Sequence, residues 1–208
     1  MIKPVAILCL LLCLSCKQQV NKTFSKSKNE EKKPTIALQP FKGSGKLSLA
    51  LKDSLEKKMT ADFIVLREVG LPQTSYYRPR NRYLAANLLD FLKERNNLYS
   101  KIIGVTDKDI SIQKGSIQNW GVMGLGCCPG ESCVISSFRV RPASINQQVF
   151  KNRMVTLALH ELGHTFSLPH CDNRTCIMRA ANGKAIPDYC KDYCNKCTSV
   201  LMKAGVLN

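Results

Sequence analysis

His160, His164 and His170 are the only three histidines in this 208-residue chain, and all lie within the stretch HELGHTFSLPHC, residues 160–171. His160 and His164 are four apart, which on a helix stacks them on one face, one turn above the other. Two imidazoles so placed can share one zinc ion, and Glu161, beside the first, projects near the metal as a candidate general base. His170 comes after the Leu168-Pro169 break, so the chain must turn to return it to the same ion. Three neutral imidazoles leave a fourth position open for water, which marks a catalytic rather than a structural zinc.

A second metal signal follows at once. Cys171 and Cys176 form a C-x4-C pair, and Cys194 and Cys197 a C-x2-C pair. Two close-spaced pairs joined by a loop are a strong signature of a structural zinc held by four thiolates. Cys190 competes for one of these positions. Because Cys171 directly follows His170, an ion on the cysteines would also fix where the third histidine lies.

These residues need a scaffold, and the chain alternates in a way that supplies one. PTIALQPF (34–41) reads as a strand, KLSLALKDSLEKKM (46–59) as an amphipathic helix, and ADFIVLREV (61–69) as a buried strand. In 81–97, leucines at 84, 88, 89 and 92 have the spacing of a helix with one apolar face. Residues 100–110 read as a strand entering an acidic turn. WGVMGLGCC and CVISSFRV, separated by Pro129-Gly130, read as a hairpin. Ser144 with Gln147 reads as a capping box, opening a helix that runs to Phe166 and carries the first two histidines on its C-terminal half. Strand, helix, strand, helix and further strands predict an α/β fold: a mixed, twisted sheet with packed helices, an active-site helix and a C-terminal zinc-stabilised subdomain.

HELGHTFSLPH with a following methionine resembles the HExxHxxGxxH signature of the metzincin metallopeptidases. The adjoining CDNRTCIM and CNKC resemble the archaemetzincin branch, which carries a second zinc on four cysteines. The resemblance is specific over residues 160–197, looser over IIGVTDKDI and WGVMGLG, and reaches residues 34–95 by analogy only. It implies a catalytic zinc on His160, His164 and His170 with Glu161 as base, and Met178 as an apolar floor beneath the histidines. It also implies a structural zinc on Cys171, Cys176, Cys194 and Cys197. The activity implied is hydrolysis of peptide bonds in a peptide or protein substrate: a zinc-bound water attacks the carbonyl, and Glu161 carries its proton to the leaving amine. Ser167 departs from the family glycine at a turn where a Cβ is unfavourable, at a cost of about 1 kcal/mol. The Met178-to-Cys194 interval is also shorter than in the family pattern, which keeps Cys190 in competition.

The N-terminus bears on location. MIKPVAILCLLLCLSC has one lysine, an apolar run too short to span a bilayer, and Ser15 before Cys16. It resembles a bacterial lipoprotein signal (1–16), which implies a lipid on Cys16 and a membrane-anchored protein of the cell envelope. Residues 17–33 are polar and lysine-rich and read as a disordered tether reaching about 20 to 25 Å. Residues 34–208 would then form one peptidase domain. A net charge of +16 favours anionic headgroups, acidic polymers or nucleic acid. For an exported protein without interleaved basic and aromatic residues, no nucleic-acid partner is expected. The pairing expected among the remaining cysteines, in an oxidising compartment, is Cys128 with Cys133 across the Pro129-Gly130 turn, with Cys127 an alternative. Two other functions use the same residues: a catalytically silent zinc protein that binds peptides, and a zinc module that binds an anionic polymer.

Overall fold

The computed structural model describes residues 33–181 and 188–208. The expected signal segment and all but the last residue of the expected tether lie outside the described residues.

Nine strands and four helices are present among the described residues: β1 (Thr35–Pro40), α1 (Gly45–Leu55), β2 (Asp62–Val65), β3 (Tyr76–Tyr77), β4 (Arg82–Leu84), α2 (Ala85–Glu94), β5 (Lys101–Thr106), β6 (Ile110–Lys114), β7 (Ile117–Val122), β8 (Gly124–Gly126), β9 (Ser132–Ser136), α3 (Gln147–Thr165) and α4 (Asn195–Lys203). The main sheet has the order β2-β1-β5-β9-β8. Its first four strands are parallel, and β8 runs antiparallel to β9. A second sheet has the order β3-β4-β6-β7.

Strands covered on both faces should read as continuous apolar runs, and the central ones do. Alternate side chains feed two separate cores. Ile36, Leu38, Ile103, Val105, Cys133 and Ile135 pack with α1 and α3 on one face. Ala37, Ile102 and Val134 pack with Leu88, Leu89 and Leu92 of α2 on the other. This confirms the mixed sheet with packed helices, and it places α3, the histidine helix, flat against the central strands.

Several expected elements differ in detail. Residues 61–69 do not make a fully buried strand: β2 is four residues long, pairs only with β1 and is half-buried at the sheet edge. The helix expected over 46–59 stops at Leu55, where the chain turns so that Met59 and Ala61 can enter the core. Residues 82–84 form β4, paired with β6, ahead of α2. The capping box is not formed. Asn146 caps α3 by accepting the Val149 amide at 2.9 Å, while Ser144 Oγ donates to Val140 O. WGVMGLG is shared between the two sheets, because Trp120 lies on β7 opposite β6 and only Gly124–Gly126 form the hairpin with β9.

Candidate metal centres

The second half of α3 is enclosed: every residue from Leu157 to Gly163 is buried. His160 and Glu161 are only 5% and 6% exposed. A helix can turn imidazoles inward only if their ring nitrogens find partners. His160 Nδ1 donates to Ile177 O at 2.8 Å and His164 Nδ1 donates to Leu168 O at 2.8 Å. A carbonyl can only accept, so both rings carry their proton on Nδ1, and both Nε2 atoms present lone pairs. Those two Nε2 atoms stand 3.2 Å apart. Two nitrogens each about 2.0 to 2.1 Å from one tetrahedral zinc stand about 3.3 Å apart. Facing lone pairs at that separation repel unless a cation lies between them. The ring of His170 packs against both others, with centroids 5.5 and 4.9 Å away, and the three donor atoms lie within 4.8 Å of one another. The triad therefore fits one zinc ion.

The four sulfurs meet the same test. Cys171 Sγ and Cys194 Sγ are 3.7 Å apart, and Cys176 Sγ and Cys197 Sγ 3.8 Å apart. Sulfurs bound at about 2.3 Å to a tetrahedral zinc lie about 3.8 Å from each other. The amides of Met178 and Cys194 donate to Cys176 Sγ at 3.4 and 3.3 Å, which favours a thiolate, although without a cation burial prevails and holds Cys176 and Cys197 up. Cys194 is held down at about 7: burial works against this, but a backbone hydrogen bond at Cys197 and hydrogen bonds with the neighbouring thiols prevail. Cys190 stays apart, with its thiol donating to Arg174 O at 3.3 Å. The expected Cys128–Cys133 bridge is not formed, and Cys127, Cys128 and Cys133 are all free thiols. The hairpin register places Cys133 opposite Gly126 and buries it in the sheet, while Cys128 Sγ turns away to Leu168 O at 3.5 Å.

Two short links join the centres. Ile177, whose carbonyl orients His160, is flanked by Cys176 and Met178, and its own amide donates to Asp192 O at 3.0 Å. Tyr193 Oη, next to Cys194, donates to Leu159 O at 2.7 Å. Met178 packs against the histidine helix between the two ligand positions: a Cβ on Gly163 would stand 2.5 Å from its sulfur.

Sequence reasoning missed Gly124 and Gly126. A Cβ at Gly124 would fall 2.5 Å from Glu161 Oε1, and one at Gly126 would fall 2.6 Å from the Glu161 carbonyl. The hairpin strand thus lies directly on the glutamate, and an alternating Gly-x-Gly within a strand is the signal of such an approach. Lys101 was missed too. Its Nζ donates to Gly130 O at 2.6 Å and to Thr165 O at 3.0 Å, clamping the hairpin to the end of α3. Burial, acting without the charge of a zinc ion that would favour the carboxylate a base needs, drives Glu161 up to about 8. It drives His160 down to about 4 and lowers His164 as well, so both rings are neutral at pH 7 and ready to ligate.

Comparison with known proteins places this geometry. The family model for peptidase family M54 matches residues 48–203. The archaemetzincin of Methanopyrus kandleri is 32% identical over 138 residues, which cover 66% of this chain and 75% of that protein. The archaemetzincin of Archaeoglobus fulgidus is 31% identical over 165 residues, 79% of this chain and 96% of that protein. The crystal structure of the M. kandleri protein superposes with a TM-score of 0.70 at 26% identity, covering 84% of this chain and 96% of that one. That of the A. fulgidus protein, complexed with malonate, gives 0.66 at 29%, covering 80% and 99%.

Two outcomes follow from the packing and the burial. Gly124→Ala should displace the Glu161 carboxylate without touching a metal ligand, so peptide cleavage should fall at least tenfold while zinc content per chain stays unchanged; loss of zinc in this variant would contradict the assignment of the close contact to Glu161. In chelated protein, His160 resists protonation down to pH 4 whereas an unfolded histidine titrates near 6.5. The unfolded chain therefore takes up the proton first. In chelated Glu161→Gln protein, where the opposing titration of the buried glutamate is removed, stability should be intact above about pH 6.5 and fall by about 3 kcal/mol by pH 4, read as the urea midpoint across that range. Zinc would steepen this dependence, because protons and metal compete for Nε2.

Proposed function

The chain belongs to peptidase family M54, and from that premise we propose how this zinc-dependent peptidase divides its work among particular residues. His160, His164 and His170 hold the catalytic ion, and Cys171, Cys176, Cys194 and Cys197 hold a structural one. The observation that carries this reading is the pair of unprotonated Nε2 atoms 3.2 Å apart on the floor of a cleft that also contains Glu161. Zinc on three imidazoles keeps a position for water, lowers its pKa toward neutrality and polarises the peptide carbonyl.

Glu161 supplies the proton traffic. Its carboxylate lies against Gly124 on the cleft floor, where it accepts the proton of the attacking water and returns it to the leaving amine nitrogen. The backbone acceptors at Ile177 and Leu168 keep His160 and His164 in the ligating tautomer. The long wall of the cleft is strand, formed by β7 and β8, and it gives an extended peptide a surface to lie along.

The reading extends to location. Cys16 carries the lipid of a lipoprotein, and residues 17–33 tether the peptidase domain to the envelope membrane; the apolar run ending Leu-Ser-Cys supports this. Among the described residues no helix is long and apolar enough to cross a membrane.

Protein lacking residues 1–16 should contain two zinc ions per chain. His164→Ala should contain one and lose cleavage of a mixed peptide library. Glu161→Gln should contain two and lose cleavage by at least a hundredfold. Two zinc ions with no cleavage by wild type would favour the silent peptide-binding scaffold, and one zinc unaffected by His164→Ala would remove the histidines from the metal assignment. For location, the full chain expressed in a bacterium should fractionate with membranes, and Cys16→Ser should release it to the soluble fraction.

A further inference from the structure

The cleft above the histidines encloses about 580 Å³, and its charged lining is one-sided. Besides Glu161, which serves the reaction, its walls contribute Lys114, Arg139 and Arg153, with no other carboxylate among the described residues. Residues 182–187, NGKAIP, which follow Ala181 of the lining, contain no carboxylate either.

The three cations are not equivalent. Arg153 is spent: its Nε and Nη2 grip Asp188 at 2.7 and 2.8 Å, and its Nη1 donates to Ala143 O. Arg139 shares one carboxylate with a second arginine. Its Nε and Nη2 meet Asp109 at 2.7 and 2.9 Å, while Arg82 Nε meets the same group at 2.6 Å. Two guanidiniums on one carboxylate leave a full positive charge in excess. Arg82 is further occupied by Asn119 O, whereas Arg139 Nη1 has no partner among the described residues. Arg139 is also held firmly, because Gly121 of β7 leaves it room: a Cβ there would collide with the guanidinium. Lys114 is exposed, makes no ion pair among the described residues, and lies with its Nζ 4.8 Å from the ring centroid of Trp120, another wall residue. A fixed guanidinium with a free N–H and a second cation above an aromatic ring suit a carboxylate ligand.

The geometry points to a preference for acidic substrates: Arg139, assisted by Lys114, is a specificity residue that receives an aspartate or glutamate side chain of the peptide within a few residues of the bond to be cut. This rests on the peptidase reading of the histidine cleft. Arg139 carries the larger share, since it is half-buried and pre-positioned, while Lys114 is fully open to salt screening.

Trp120 is the chain's only tryptophan, so its fluorescence reports on the cleft alone. Zinc-loaded Glu161→Gln protein is titrated with two peptides that differ by one residue, glutamate in one and glutamine in the other. The acidic peptide should bind roughly tenfold more tightly at low ionic strength, with the ratio shrinking as salt is raised. Lys114→Glu should cut the ratio and Arg139→Gln should bring it close to one. Should Arg139→Gln loosen the Asp109 cluster, Lys114→Glu still tests the idea at an exposed position. Equal affinities for the two peptides, or no fluorescence response to either, would overturn the proposal. Failure of wild type with two zinc ions to cleave any peptide would overturn the peptidase reading instead, and would leave the binding comparison to be read on its own terms.

Discussion

The hydrogen bond from His160 Nδ1 to Ile177 O is the point on which the two metal centres turn. It fixes the tautomer that makes His160 a ligand, and it does so with a peptide that the cysteine cluster holds in place. Cys176 precedes that peptide and Met178 follows it, with Met178 O accepting from the Cys171 amide at 2.8 Å. Among the described residues after His170, few large apolar side chains enter the core; Ile177, Met178, Leu201 and Val206 are the main ones. So small an apolar contribution would hold such a loop weakly, and four thiolates on one ion would supply the cross-link that burial does not. A structural metal is thus part of how a buried imidazole is aimed.

The second constraint is the distance between β8 and α3. Glu161 is buried in the helix interior, where an isolated carboxylate is costly, yet it must reach the cleft. Gly124 and Gly126 let the strand pass close enough for the glutamate to line the cleft floor, with no side chain intervening. Lys101 then ties the hairpin to the helix end through Gly130 O and Thr165 O. Glu161 is therefore positioned by the absence of two side chains and the presence of one distant ammonium.

Ligand spacing was legible in the sequence because it is local. His160 and His164 are set by helical pitch, and the cysteine pairs by loops short enough to leave few alternatives. The central strands were legible because they are buried on both faces and read as apolar runs. What could not be read depends on distant partners. Whether Ser144 or Asn146 caps α3 depends on where Val140 lies, since its carbonyl takes the Ser144 hydroxyl. WGVMGLG reads as a single strand, yet Met123 is where the chain passes from one sheet to the other. Cys128 looked well placed to bridge Cys133 across a short turn, but strand alternation drives Cys133 into the core while Cys128 faces the turn at Leu168. Arg139 carried no sequence signal at all, because its surroundings come from Asp109 in the β5–β6 turn and Gly121 on β7, both distant in sequence.

Ser167 shows how the site tolerates a departure from its family pattern. It adopts φ +70°, a left-handed conformation that costs a residue with a Cβ about 1 kcal/mol. The turn satisfies both hydrogen bonds of a Schellman motif: Ser167 N donates to His164 O and Leu168 N to Gly163 O, each at 3.0 Å. Leu168 is buried and its carbonyl is claimed by His164 Nδ1 and by Cys128. Relaxing Ser167 to an ordinary conformation would withdraw that carbonyl, free the tautomer of His164 and swing His170 away from its partners. Several interactions, each worth about as much as the strain, hold the turn in place. Glycine is therefore dispensable here on energetic grounds, because the groups that need the turn are also the groups that enforce it.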